Sequence, residues 1–351
     1  MGMRLGESVQ VTLFGESHGS AVGALLEGVP AGTGIDLDIL IDDLKRRRPG
    51  RRLLSARVET DHCEILSGVF EGKATGYPIL LLVRNQDAKS RDYSFLPDHP
   101  RPGHADLPEA IRTGGFADPR GGGAHSGRLT LGLVAAGSIV RDTIESKGIQ
   151  VVAHCAAIGP ITSEFSNERG ESEACEVLNC NSLSAAEEMF AKVRELRKDG
   201  NSIGSTVEVR ISGLSLGFGQ PWFNGLEPAL SRGLMAIPGA RAIEFGRGIS
   251  VVEMLGTDHN DCWNSDSIPV GDDADGVIGG MATGSPLRVL VHFKPPSSIS
   301  KPQMTLHLPS GEMQELTIGG RHDPVLAPRA APVVEAVCRL VLADLMTLCG
   351  D

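Results

Sequence analysis

Two stretches of the chain alternate apolar and polar residues with period two. In STVEVRISG and in LRVLVHFK every second position is apolar, and Leu287, Val289, Val291 and Phe293 share one face, as expected of strands with one face buried. YPILLLVRN is a short continuous apolar run and reads as a buried strand. VTLFGESHGSAVGALLEG opens as a strand, passes through a glycine-interrupted turn that carries Glu16 and His18, and resumes as a short apolar element. Helical spacing marks other segments. In DLDILIDDLKRRRPG, Leu37, Ile41 and Leu44 recur near a 3.6-residue period before Pro49 and Gly50 end the run. LTLGLVAAGSIVRDTIESKG reads as a helix closed by Gly148, and PRAAPVVEAVCRLVLADLMTL as a long last helix. Between Ser184 and Gly200, a Ser184/Glu187 capping box and a terminal glycine bracket another helix.

Strands and helices are thus interspersed, but irregularly. No G-x-G-x-x-G turn follows an early strand and no G-x-x-x-x-G-K-[ST] loop occurs, so neither a Rossmann dinucleotide site nor a P-loop is expected. No composition break marks a boundary, and the expectation is one large α/β unit over residues 1–351 with several antiparallel strands.

Composition narrows the function classes. A formal net charge of -11 disfavours nucleic acid as a partner, and two tyrosines and two tryptophans make a poor base-stacking surface. Seven scattered cysteines without a CxxC pair suit a reducing compartment and indicate no metal site. The N-terminus has no apolar signal core and no apolar run approaches the ~20 residues that span a bilayer, which makes the cytoplasm the expected location and no membrane the expected partner. Against that acidic background, KRRRPGRR places six basic residues in eight at a helix end, where they serve equally as a solvated charge run or as a guanidinium cluster for phosphate and carboxylates.

Candidate chemistry concentrates in a few polar stretches: His18, RPGHAD, DPRGGGAHSGRLT, FKPPSSIS and GGRHDPVLAPR. Two of the five lie in or overlap residues 86–128, a segment too polar and too rich in Pro and Gly to be core, and too long to be an ordinary loop. Glycine triplets let consecutive backbone amides curve around an anion or a flat cofactor. Lys294 with the hydroxyls of Ser297 and Ser298 can grip a phosphate, although Lys-Pro-Pro is equally a plain strand exit. Asp106 could cap LPEAI and Asp323 could hold the turn before Pro324. A zinc set drawn from His18, His104, His322 and Asp323 lacks close ligand spacing, and Ser17 or Ser126 beside a histidine does not make an activated nucleophile.

In combination, FGESHG, RRRPG, LSGVFEG, RPGHAD, the RGGG loop, GNSIGSTVEV, IEFGRG, KPPSSI and GRHDPVLAPRAAPVVEA closely resemble the chorismate synthase family, in the family order from Phe14 to Ala336. The resemblance implies an α/β (α+β) fold, a layered βαβ sandwich with antiparallel strands rather than a Rossmann sheet, assembled as a homotetramer. It implies a carbon–oxygen lyase of the shikimate pathway of aromatic amino-acid biosynthesis. The reaction is the 1,4-anti elimination of phosphate from 5-enolpyruvylshikimate 3-phosphate to chorismate, with reduced FMN and no net redox change. NADPH enters only as an electron source, with an external flavin reductase as a further partner.

Residue by residue, the resemblance gives His18 to the reduced flavin, His104 to the departing phosphate and Asp323 to proton removal at the flavin side. Arg47, Arg52, Arg128 and Arg329 resemble ligands of the substrate's anions. Ala124, His125, Ser126, Pro238, Gly239, Gly279, Lys294, Pro295, Pro296, Ser297, Ser298 and Arg321 resemble the flavin contacts. The chain departs from many members in GGGAHSGRLT: Ala124 and His125 replace an arginine and a serine, Gly127 replaces an alanine and Leu129 a glutamate. A related branch of the family carries a similar SGRLT version.

Overall fold

Two five-stranded sheets, antiparallel throughout, enclose a layer of helices. The first runs in the spatial order Arg4–Leu5, Gln10–Gly15, Ala21–Glu27, Ile79–Arg84, Cys63–Ile65; the second runs Ala240–Phe245, Leu287–Phe293, Ser205–Ser212, Gln150–Ile158, Ile161–Thr162. The computed structural model describes residues 2–48, 54, 59–86, 90–166, 170–271, 275–320 and 322–349. Leu287, Val289, Val291 and Phe293 are all buried, as the alternation requires. Among the described residues no helix is long and apolar enough to cross a membrane.

The helix Thr130–Ile139 lies against the first sheet with every residue buried, and Ala327–Cys349 lies against the second. Small residues permit this close stacking. A Cβ on Gly132 would stand 2.7 Å from the Gly23 carbonyl oxygen, and one on Gly137 only 2.5 Å from the Ala336 Cβ. The C-terminal helix also anchors the N-terminal hairpin, because the Asp344 carboxylate accepts from the amides of Glu7, Ser8 and Val9 at 2.6–3.1 Å. The layered βαβ sandwich is therefore present, and the sheets are not Rossmann sheets.

Three local expectations need correction. The helix Leu37–Arg47 forms, capped by Asp36, but Leu37 and Ile41 are exposed and its buried face is Leu40, Asp43, Leu44 and Arg47. Ion pairing turns it: the Asp43 carboxylate meets Arg339 at 2.8 Å, and Arg46 meets Glu335 at 2.7 Å. The cap of helix Leu183–Asp199 is Ser182 rather than Ser184, since Ser182 holds extended backbone and its hydroxyl accepts from the Ala185 amide; Gly200 closes the helix in the left-handed region at φ 69°. Asp106 begins the helix Asp106–Arg112 but makes no side-chain cap, because its carboxylate is committed elsewhere.

Residues 90–128 are held from outside the segment. The hairpin Gln303–His307 and Glu312–Leu316 holds it, with Leu308 N donating to Asp98 O at 2.9 Å, Thr305 Oγ1 donating to Pro100 O, and His99 against Gln314.

Candidate active site

Arg101 is the centre of the site. Only 5% exposed, it forks onto the Asp106 carboxylate at 2.7 and 2.8 Å, and donates to Gly121 O at 2.8 Å and to Ser298 Oγ at 3.1 Å. Its guanidinium lies over the Tyr93 ring, 5.5 Å from the centroid. These bonds tie together the RPGHAD turn, the glycine loop and the strand exit after Phe293. His104 joins them through Nδ1, which lies 2.6 Å from Asp106 Oδ1 and 3.1 Å from Arg101. Burial works to raise the Asp106 pKa, but the hydrogen bonds from Arg101 and His104 outweigh it and hold the carboxyl well below the ordinary range.

His18 is buried on the other side of the glycine loop, edge-on to Tyr93 at 5.1 Å between centroids. Glycine is required here: at Gly121, φ is 67° and a Cβ would fall 2.7 Å from His18 Cδ2. Ser17 completes the contact, its amide donating to Gly123 O and its hydroxyl accepting from Gly122 N. Tyr93 also meets His322 at 6.3 Å, and burial, reinforced by the charge of Arg101, lowers the His322 pKa despite a hydrogen bond to Gly319 O.

A second cluster gathers the arginines. Arg329 pairs with Asp323 and donates from Nε to Arg47 O at 3.2 Å. Arg128 bonds Asp61 at 2.5 Å and Asn85 Oδ1 at 2.9 Å, while the Asn85 amide holds the His18 turn through Glu16 O and Gly19 O. Arg47, 2% exposed, donates to Thr130 Oγ1 at 3.1 Å and to Gly127 O at 2.5 Å, but its remaining terminal nitrogen is buried with no hydrogen-bond partner among the described residues. Burial, together with the neighbouring charges of Arg329 and Arg128, depresses its pKa. Asp61 and Asp323, paired with Arg128 and Arg329, are the carboxylates that oppose these charges.

Most candidate flavin residues face these clusters. A cavity of about 380 Å³ is bordered by His104, Asp106, residues 121–125 and Leu308. Ala124 and His125 lie exposed at its rim, His125 Nε2 being 3.0 Å from Glu109, and Ser126 accepts from Arg128 N at 3.2 Å. Lys294 donates to Gly103 O and to Ser297 Oγ, and its amide donates to Gly239 O at 2.9 Å, beside Pro238. Pro295 follows, and Pro296 O accepts from Ser202 at 2.8 Å. A smaller cavity carries Ser298, His322 and Asp323. Gly279 is not brought in by any of these bonds: it sits exposed between the strands Val277–Ile278 and Met281–Ala282, whose hydrogen bonds run to Gly217, Phe218 and Leu226. Arg52 and Arg321 lie outside the described residues.

Tyr93, Asn85, Arg101 and Asp106 were not among the candidates. Arg101 and Asp106 flank His104 within RPGHAD, and a carboxylate two residues from a histidine was the available signal; Tyr93 and Asn85 reach the site only through tertiary folding.

The model of the family described as "Chorismate synthase" matches residues 9–347. The chorismate synthase of Aeropyrum pernix is 43% identical, the alignment covering 98% of this chain and 92% of that protein. That of Methanococcoides burtonii is 40% identical over 99% and 97%, and that of Dehalococcoides mccartyi 38% identical over 100% and 98%. A solved structure entitled "Crystal Structure of Chorismate Synthase" superposes with a TM-score of 0.73 at 25% identity, covering 98% of this chain and 93% of the other. With the sandwich fold and the clustered histidines and arginines already in place, a match of this extent means that the chain belongs to the chorismate synthase family.

Proposed function

We propose that His104, His18, Asp323 and the arginine cluster divide between them the work of the family's reaction, which this chain catalyses: elimination of phosphate from 5-enolpyruvylshikimate 3-phosphate to give chorismate. Arg47 carries the reading. A fully buried guanidinium with an unmet donor beside Arg128 and Arg329, in a chain of net charge -11, is explained by an anionic ligand. With Arg52, these arginines hold the phosphate and carboxylates of the substrate. His104, with Nε2 free of protein hydrogen bonds, protonates or hydrogen-bonds the departing phosphate, where negative charge develops. Asp323 accepts the ring proton or passes it on, and His18 exchanges a proton with the cofactor.

FMN is the family's cofactor, and the residues present fit it. The cavity beside His104 falls within the ~300–1,000 Å³ usual for ligand sites. Lys294, whose pKa burial lowers, holds two neutral oxygens that a phosphate can displace. Ala124, His125, Ser126, Pro238, Gly239, residues 294–298 and Arg321 would hold it. Reduced FMN, when bound, lends electron density to the elimination without net consumption. NADPH serves only to supply electrons, through an external reductase, and the chain works in the cytoplasm as one domain within a homotetramer.

Anaerobic incubation with the substrate tests this reading. Chemically reduced FMN should yield chorismate and phosphate in equal amounts, and oxidised FMN neither. No chorismate with the reduced cofactor would overturn it.

A further inference from the structure

We infer that Asp106 is a positioning residue for His104: its carboxylate accepts a hydrogen bond from Nδ1–H of the imidazole and thereby fixes Nε2 as the nitrogen that meets the departing phosphate. The inference rests on the reading that His104 serves that phosphate. Three observations carry it.

The 2.6 Å contact between His104 Nδ1 and Asp106 Oδ1 is the shortest that the ring makes. An ionised carboxylate can only accept, so the hydrogen of this contact resides on Nδ1. Arg101 is also 3.1 Å from Nδ1, but a guanidinium cannot accept a hydrogen and its nitrogen is already committed to Asp106 Oδ1 and Gly121 O. Arg101 therefore keeps Asp106 ionised rather than competing for the imidazole nitrogen.

The second observation is the state of the other nitrogen. Nε2 makes no hydrogen bond among the described residues, and the ring borders the cavity shared with residues 121–125. Proton exchange then takes place at Nε2, which gives up its proton when the ring is charged and accepts one when it is neutral, because Nδ1 keeps its own.

The third is the anchoring of Asp106. Its Oδ2 accepts from the backbone amide and Nε of Arg101 at 2.9 and 2.8 Å, and its Oδ1 from the Arg101 terminal nitrogen at 2.7 Å. Arg101 in turn reaches Ser298 at 3.1 Å. A carboxylate fixed at both oxygens cannot rotate away, so the imidazole orientation is tied to the same group that fixes the Lys294–Ser298 turn.

The test begins with the wild-type protein, for which a variant is used only to assign a resonance. In ¹⁵N-histidine-labelled protein, with the His104 resonance assigned by its loss in His104→Gln, the neutral ring should be the Nδ1–H tautomer; an Nε2–H tautomer would overturn the inference. Asp106→Asn should then lower kcat by roughly 10- to 100-fold, with the substrate KM and the FMN Kd changed less than about threefold. Unchanged kcat would overturn it, as would a loss in KM alone, which marks a merely structural role. Asp106→Asn added to His104→Ala should cost nothing further, and additive losses would show that Asp106 acts by another route. Full activity in His104→Ala alone would instead remove the reading of His104, while the tautomer measurement would still decide whether Asp106 sets its ring.

Discussion

Replacing Arg47 with methionine should separate stability from substrate binding. Arg47 contributes two hydrogen bonds, to Thr130 Oγ1 and Gly127 O, and leaves one nitrogen unmet. Methionine strands no buried acceptor, because Thr130 Oγ1 itself donates to Gly127 O at 2.7 Å. The change removes two hydrogen bonds to a charged group, each contributing about 1.5–3 kcal/mol, and also removes an unmet buried donor costing about 1–3 kcal/mol. It further relieves the desolvation of a buried charge, several kcal/mol in size, and repulsion from Arg128 and Arg329. Attraction to Asp61 and Asp323 is lost, so the terms nearly cancel. The ligand-free variant should lie within about 2 kcal/mol of wild type in urea unfolding, against the 3–5 kcal/mol typical of breaking a matched buried pair. Substrate affinity should fall roughly 10- to 150-fold, about 1.5–3 kcal/mol for the charge-assisted hydrogen bond that the one unmet nitrogen would make. Titration calorimetry reads the second quantity. A loss of more than about 4 kcal/mol in stability with substrate affinity intact would show that Arg47 is structural and refute the reasoning.

Three further expectations follow from particular groups. Lys294→Met should reduce the preference for FMN over riboflavin, measured by fluorescence titration, because only the phosphate uses the lysine; an undiminished preference places the phosphate elsewhere. His154 is buried, neither ring nitrogen has a hydrogen-bond partner among the described residues, and burial lowers its pKa to about 4. The unfolded imidazole takes a proton below about pH 6.5 and the folded one resists until about pH 4, so stability should fall by up to about 3 kcal/mol across that window as pH drops. His154→Phe should flatten the slope in urea unfolding at several pH values, and an unchanged slope assigns it to other groups. Gly121→Ala, which sets a Cβ against His18 at positive φ, should destabilise by about 1–3 kcal/mol or displace the histidine; normal kcat and Tm would contradict the close approach.

Much of the framework was legible because its signals are local. The period-two run of Leu287, Val289, Val291 and Phe293 needs only one buried face to be read correctly. In helix Leu37–Arg47 the periodic Leu44 is buried but Leu37 and Ile41 are not, because Asp43 and Arg46 turn inward to Arg339 and Glu335, which lie near the other end of the chain. The same distance hid Tyr93 and Asn85, which have no motif of their own, while Arg101 and Asp106 stood in plain view beside His104 but looked like a turn and a cap. His104, His18 and the arginines could be named from motifs, whereas the pairing of Arg329 with Asp323, and of His125 with Glu109, required coordinates.

The most direct test of the account is single-turnover phosphate release by His104→Ala. Under anaerobic rapid mixing with reduced FMN and 5-enolpyruvylshikimate 3-phosphate, the folded variant should bind substrate and perturb the reduced-flavin spectrum as wild type does. It should then release phosphate more slowly by roughly 10- to 10,000-fold, the range for a lost proton donor or an equivalent stabilising charge. Phosphate release at the wild-type rate would contradict the assignment of His104 to the departing group.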